Sequence, residues 1–206
     1  MRYLKVVFPL VFLALFVLAA CGDDDDLAGV QAPDVSGRQN VSGEPFVVTS
    51  GGVVFGALAP EYGVRGPEDA AQGDAESNPT LSPPLKFLNA PEGTKSYALL
   101  MEDPDSVPVV GYACDHWLAA NITTAELAAD ASLAAAGSMV QGMNYLSQAG
   151  YTGPAPPAGT AHVYVFTVWA LDTTLDLENG YSRSELEAAM EGHILASAEM
   201  TAEYKN

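Results

Sequence analysis

The chain has 206 residues, 49% hydrophobic and 17% charged, and its 26 Asp and Glu against 8 Lys and Arg give a formal charge of −18. That apolar share supplies the core of one globular domain and excludes general disorder. The acidic balance excludes a nucleic-acid binder, whose affinity rests on Lys and Arg neutralising phosphates, and two cysteines cannot build a disulfide framework.

Arg2 and Lys5 precede an apolar run from Val6 to Ala20, interrupted by Pro9, which ends at Leu18-Ala19-Ala20-Cys21 ahead of Gly22 and four aspartates. A basic start, an apolar stretch of about 7 to 15 residues and small residues before the cut are the parts of an export signal. A permanent membrane span would want about 20 apolar residues, and a buried helix would not abut Asp23-Asp24-Asp25-Asp26. Leu18-Ala19-Ala20-Cys21 resembles the lipobox of bacterial lipoproteins, in which the cysteine is lipidated and becomes the first mature residue. Residues 1–20 are therefore expected to be a lipoprotein signal peptide and Cys21 the lipidation site, placing the protein in the cell envelope, anchored and extracytoplasmic. The rival reading is an ordinary secreted protein with a cysteine near its cleavage site. Removing residues 1–20 takes the formal charge from −18 to −20, so acyl chains, not a polybasic patch, would hold it at the membrane.

Residues 21–45 are mostly Asp, Gly, Ser, Gln and Asn without a sustained period and read as a flexible acidic tether, leaving 46–206 as the folded domain. Phe46-Val47-Val48-Thr49 is the first strand-like run, turned by Gly51-Gly52 toward Val53-Val54-Phe55. Long loops are expected from Gly56 to Pro84. Ser96–Met101, His116–Ile122 and Ala161–Leu171 read as buried strands. In the last, alternation puts His162, Tyr164 and Phe166 on one face and Val163, Val165, Thr167 and Trp169 on the other, both largely apolar, which implies packed layers. Thr123-Thr124-Ala125-Glu126 and Ser182-Arg183-Ser184-Glu185 match the capping box and each predict a helix start. In the second helix Leu186, Ala189, Met190, His193 and Ile194 form one apolar stripe, on which His193 reads as a packed core histidine.

Polar groups gather at strand ends: Asp103-Pro104-Asp105, His116, and His162 with Tyr164. On an extended backbone the carboxylates of Asp103 and Asp105 can share one side; the plainer reading is a solvated acidic turn. His116 and His162 open apolar strands and read equally as ligand-facing or as structural. The loop from Gly150 to Thr160, with three prolines between glycines, reads as a pocket wall or as a rigid surface loop.

The chain gives in order Asn78-Pro79-Thr80-Leu81-Ser82-Pro83-Pro84-Leu85, Pro91-Glu92-Gly93-Thr94-Lys95-Ser96, Asp103-Pro104-Asp105, His116-Trp117, Asn121-Ile122, the Gly150–Gly159 loop, His162-x-Tyr164-x-Phe166, Ala170-Leu171-Asp172 and Gly192-His193-Ile194-Leu195-Ala196. From about residue 46 to the end it resembles the phosphatidylethanolamine-binding protein family, in its bacterial, Raf-kinase-inhibitor-like branch. The resemblance implies a mainly β fold of packed antiparallel sheets, a sandwich, with a few peripheral helices. It also implies a small pocket for an anionic group such as a phosphoryl head group. Asp103 and His116 would line it, Gly153, Pro154, Pro156 and Pro157 would form its wall, His162 and Tyr164 would complete it, and Asp105 would order the loop beside it. Val163 departs from the family pattern by standing where an arginine commonly follows the histidine.

The expected function is that of a membrane-anchored binding protein, non-catalytic and without a cofactor. The alternatives are a protein-interaction module and a metal-assisted hydrolase using Asp103, Asp105, His116 and His162 as ligands. No Gly-x-Ser-x-Gly elbow or Walker loop occurs. If protonated histidines supply the donors, binding should weaken as they deprotonate.

Overall fold

A computed structural model describes residues 43–63, 81–134 and 137–206. The expected signal peptide, Cys21 and nearly all of the tether lie outside the described residues.

Among those residues the long apolar runs form a seven-stranded sheet in the order β2 (Val53–Val54), β3 (Ala57–Leu58), β10 (Ile194–Lys205), β9 (Ala161–Leu171), β5 (Ser96–Asp103), β6 (Cys114–Ile122) and β8 (Val140–Gln141). A second sheet joins β1 (Val47–Thr49), β4 (Leu85–Leu88) and β7 (Glu126–Leu127). Every pairing is antiparallel except β3 with β10.

Strand alternation sorts the core into two buried clusters. Leu99 and Met101 of β5, Trp117 and Ala119 of β6, and Tyr164, Phe166, Val168 and Ala170 of β9 meet Val48, Leu85, Phe87 and Leu127 of the small sheet. Ala98, Leu100, Leu118 and Ala120 point the other way and pack with Leu186 and Met190 of the helix Arg183–Met190. The large sheet is thus covered on both faces along β5 and β6, the layering expected from the two-faced pattern of residues 161–171. Beneath β6, Gln141 accepts from Trp117 Nε1 at 2.9 Å and from Ser132 Oγ at 2.7 Å, so these buried polar groups are paired.

Among the described residues two short α-helices precede that one, α1 (Val107–Val110) and α2 (Ala131–Ala134), which makes Arg183–Met190 α3. Its start is the expected capping box: Glu185 N donates to Ser182 Oγ at 3.3 Å and Ser182 N to Glu185 Oε2 at 2.7 Å. The other expected helix, at Thr123–Glu126, does not form. Glu126 and Leu127 instead pair with Lys86 and Leu85 of β4, and Phe87 N donates to the Ala125 carbonyl at 2.9 Å. His193 is a second correction. The helix ends at Met190, and His193 is exposed beyond it, with Nδ1 2.9 Å from Asp172 Oδ1. Gly192, at φ 78°, reverses the chain there and takes His193 off the stripe.

Candidate functional site

β5 delivers Asp103 to the end of the large sheet on the face shared with Leu99 and Met101. The chain then turns through Pro104–Ser106 and α1 and returns as β6 from Cys114. Ser106 fastens this corner: its hydroxyl lies 2.6 Å from the Asp103 carbonyl and 2.8 Å from the Tyr112 carbonyl, and it accepts from Cys114 N at 2.9 Å. Gly111, at φ 94°, ends α1 in the left-handed region that a Cβ disfavours.

His116 reaches the same face through a β-bulge. Met101 pairs with Trp117 and Glu102 with Asp115, so His116 is an extra residue of β6 that faces no partner on β5. Simple alternation would place it with Leu118 and Ala120 against α3; the bulge turns its ring to the side of Asp103 instead. There Nδ1 is 2.9 Å from the Thr152 carbonyl, to which it donates, and Thr152 N donates back to the His116 carbonyl at 2.9 Å. This arrangement assigns the ring proton to Nδ1 and leaves the other nitrogen as an acceptor. Burial pushes the His116 pKa down, against the Thr152 hydrogen bond and the Asp103 charge, which raise it. At neutral pH this histidine is therefore uncharged and sends its donor into the protein, so the anion donor expected of protonated His116 is absent there.

His162 and Tyr164 come from β9, on the face of Phe166. His162 Nδ1 lies 2.8 Å from Asp103 Oδ2 in a buried pair. Among the described residues, the other carboxylate oxygen, Asp103 Oδ1, and the Tyr164 hydroxyl are buried without completing a hydrogen bond of normal geometry. Burial, the nearby Asp103 charge and a loose hydrogen-bonding approach of its carboxylate push the Tyr164 pKa well up, so the hydroxyl keeps its proton. The His116 ring meets Tyr164 edge-on at 5.1 Å and Tyr145 at 4.8 Å.

These side chains floor a cleft of about 170 Å³. Asp103, His116, His162, Tyr164 and Pro157 line it. Gly153, Pro154 and Pro156 are buried behind the wall, and Ala155 faces the cleft between them. Asp105 stands beside the cleft, where its Oδ2 accepts from Val163 N at 2.8 Å and ties the corner to the start of β9. Sequence reasoning passed over Ser106, Val109, Val110, Cys114, Tyr145 and Ala155, which also line the cleft. Their only signal was position near the corner and the proline loop. Among the described residues no three His, Cys, Asp or Glu side chains converge as metal ligands.

On the opposite face, Glu102 and Asp115 meet Arg183 of α3, whose Nη1 lies 2.7 Å from Glu102 Oε2 and 3.0 Å from Asp115 Oδ1. Burial outweighs the guanidinium and holds the Asp115 carboxyl up at about 6.

The sequence model described as phosphatidylethanolamine-binding protein matches residues 53–205. A UPF0098 protein of Methanothermobacter thermautotrophicus is 40% identical over 129 residues, 61% of this chain and 83% of that protein. The uncharacterised protein YxkA of Bacillus subtilis is 40% identical over 134 residues, 59% of this chain and 79% of its own length. Among solved structures, a phosphatidylethanolamine-binding protein homologue from Chlamydia trachomatis superposes with a TM-score of 0.64 at 31% identity, covering 79% of this chain and 98% of that one. E. coli YbcL, described as a member of the mammalian family, gives a TM-score of 0.66 at 30% identity over 79% and 99% of the two chains. The chain belongs to the phosphatidylethanolamine-binding protein family.

Proposed function

We propose that the protein is a membrane-anchored, extracytoplasmic binding protein whose cleft holds a small anionic group of the phosphoryl class without turning it over. The observation that carries this reading is the pair of buried groups in one cleft that complete no hydrogen bond of normal geometry to the protein, an acceptor at Asp103 Oδ1 and a hydroxyl donor at Tyr164. Buried polar atoms are costly unless paired, so the pair asks for a ligand that both donates and accepts. A phosphate monoester carrying one proton does both: its O–H gives to Asp103 Oδ1 and its charged oxygen accepts from Tyr164. The fully ionised ester has no proton to give and would set its charge against the carboxylate. His162, when protonated, adds a donor through its second nitrogen. The family's name, which refers to a phosphate-bearing lipid, supports the ligand class.

Titrating the full chain calorimetrically with methyl phosphate tests this. Saturable binding is expected that weakens as pH rises through about 6, where phosphate monoesters lose their last proton, and that Asp103→Ala and Tyr164→Phe abolish or strongly weaken. No binding by the folded wild type, or binding that strengthens as pH rises, would overturn it. Recovery of unaltered methyl phosphate after long incubation supports binding without turnover; hydrolysis would refute it. The anchor rests on Leu18-Ala19-Ala20-Cys21. Cys21→Ser should release the protein from the membrane fraction and abolish fatty-acid labelling, and an unchanged distribution would remove the anchor from the account.

A further inference from the structure

We infer that the cleft selects phosphate esters of uncharged, apolar alcohols over the zwitterionic ethanolamine ester, with Val109 and Val110 of α1 as the specificity-determining residues. This inference rests on the phosphoryl reading of the same cleft.

The cleft changes character from floor to mouth. Its polar groups, Asp103, His116, His162 and Tyr164, are buried at the bottom. At the mouth stand Val109 and Val110, 63% and 48% exposed, with Ala155 and Pro157, also exposed, contributed by the loop. Among the described residues no Lys, Arg or Glu lines the cleft, and Asp103, on the floor, is the one carboxylate in its lining. Asp105 lies outside the lining with its carboxylate on the Val163 amide. α1 itself is the unusual feature: Val-Pro-Val-Val is a poor helical sequence because β-branched side chains lose freedom there. Pro108 in its first turn and Gly111 at its end nonetheless hold it, with its valines facing water beside a polar pocket.

A cleft of about 170 Å³ has more room than a five-atom oxyanion fills. A phosphoryl group seated on the floor sends its ester substituent out past Val109 and Val110. An alkyl substituent there removes apolar surface from water on both sides. An ammonium group at the same distance finds no carboxylate among the described residues of the rim, so it gives up hydration without an ion pair in return. The chain's overall negative charge attracts the ammonium from afar, but at physiological salt that field falls off over about 8 Å.

Propyl phosphate and phosphoethanolamine match atom for atom in length and differ at the terminal group, which makes them the deciding pair. The full chain is titrated with both, and with the methyl to butyl phosphate series, at physiological salt. Affinity is expected to rise by up to about fourfold per added methylene while the substituent spans the rim, and propyl phosphate to bind more tightly than phosphoethanolamine. Val109→Ser and Val110→Ser, both at exposed positions that spare the core, are expected to flatten the chain-length dependence. A flat series with methyl phosphate still bound, or phosphoethanolamine equal to or tighter than propyl phosphate, overturns the inference and leaves the phosphoryl reading standing. A preserved slope in both variants overturns the assignment to these valines. Failure of every ester to bind sinks both readings together.

Discussion

Replacing Tyr164 by Phe takes one oxygen atom out of a fully buried side chain and keeps its ring against His116. In the ligand-free protein that oxygen completes no hydrogen bond of normal geometry, and an unsatisfied buried polar group costs about 1–3 kcal/mol. Removing it should therefore stabilise the protein by about 1 kcal/mol or more, which at this chain length raises Tm by at least about 2 °C. The same oxygen is assigned as donor to the ligand's charge. A hydrogen bond to a charged group is worth about 1.5–3 kcal/mol, so methyl phosphate should bind about tenfold to a hundredfold more weakly. Calorimetric unfolding in phosphate-free buffer and a ligand titration measure the two effects on one variant. Their signs oppose: a more stable protein that binds less well. If Tyr164→Phe instead loses about 1 kcal/mol or more in phosphate-free buffer, the hydroxyl is already paired without ligand and the argument from unsatisfied groups fails.

Arg183→Met leaves Glu102 and Asp115 facing each other without their cation. Breaking a fully buried pair costs about 3–5 kcal/mol, and for this partly exposed guanidinium about 1–3 kcal/mol is expected in urea unfolding. The loss should be larger at about pH 8 than at about pH 5, because the Asp115 carboxyl at about 6 is charged in the first case and protonated in the second; equal losses would count against its raised pKa. His116, whose pKa burial lowers, makes the native state resist a proton that the unfolded chain accepts near its ordinary value of about 6.5. Its contribution to stability is present above that pH and is lost as pH falls below it, so wild type should lose more stability than His116→Asn between about pH 7 and pH 5. Asp115 acts in the opposite direction, but it is common to both proteins and cancels in the difference. Gly142→Ala places a Cβ 2.7 Å from the Tyr181 carbonyl oxygen and 2.9 Å from Leu118 Cβ. Overpacking should cost about 1–3 kcal/mol in urea unfolding, and a neutral substitution would show that this turn yields.

Local signals with a fixed period were legible in the sequence. The alternation of His162, Tyr164 and Phe166 gave their common face, and the Ser182 capping box gave the start of α3. The Thr123 box carried the same local pattern and failed, because Glu126 and Leu127 gain more from pairing with β4 than from opening a helix. His193 left its stripe because Gly192 ends the helical run one turn earlier than the apolar spacing does. The placement of His116 was not readable from alternation at all. One extra residue in β6 reverses its face, and nothing in the composition of Cys114–Ile122 marks where the ladder slips. The proline loop reads from its residues as a pocket wall or a rigid surface loop, and which of its residues face inward depends on its anchoring at Thr152 and at Asn206, whose Nδ2 donates to the Pro156 carbonyl at 2.9 Å. Such contacts join residues far apart in sequence, and so do the unsatisfied atoms of Asp103 and Tyr164, which only the folded chain brings together.

A crystal structure of the full chain with methyl phosphate would test the central claim most directly. The account places the phosphoryl group on the cleft floor, with one oxygen at about 2.5–2.8 Å from Asp103 Oδ1 and another at the same distance from the Tyr164 hydroxyl. Methyl phosphate bound elsewhere, with Asp103 Oδ1 and Tyr164 turned to water or to other protein groups, would contradict it.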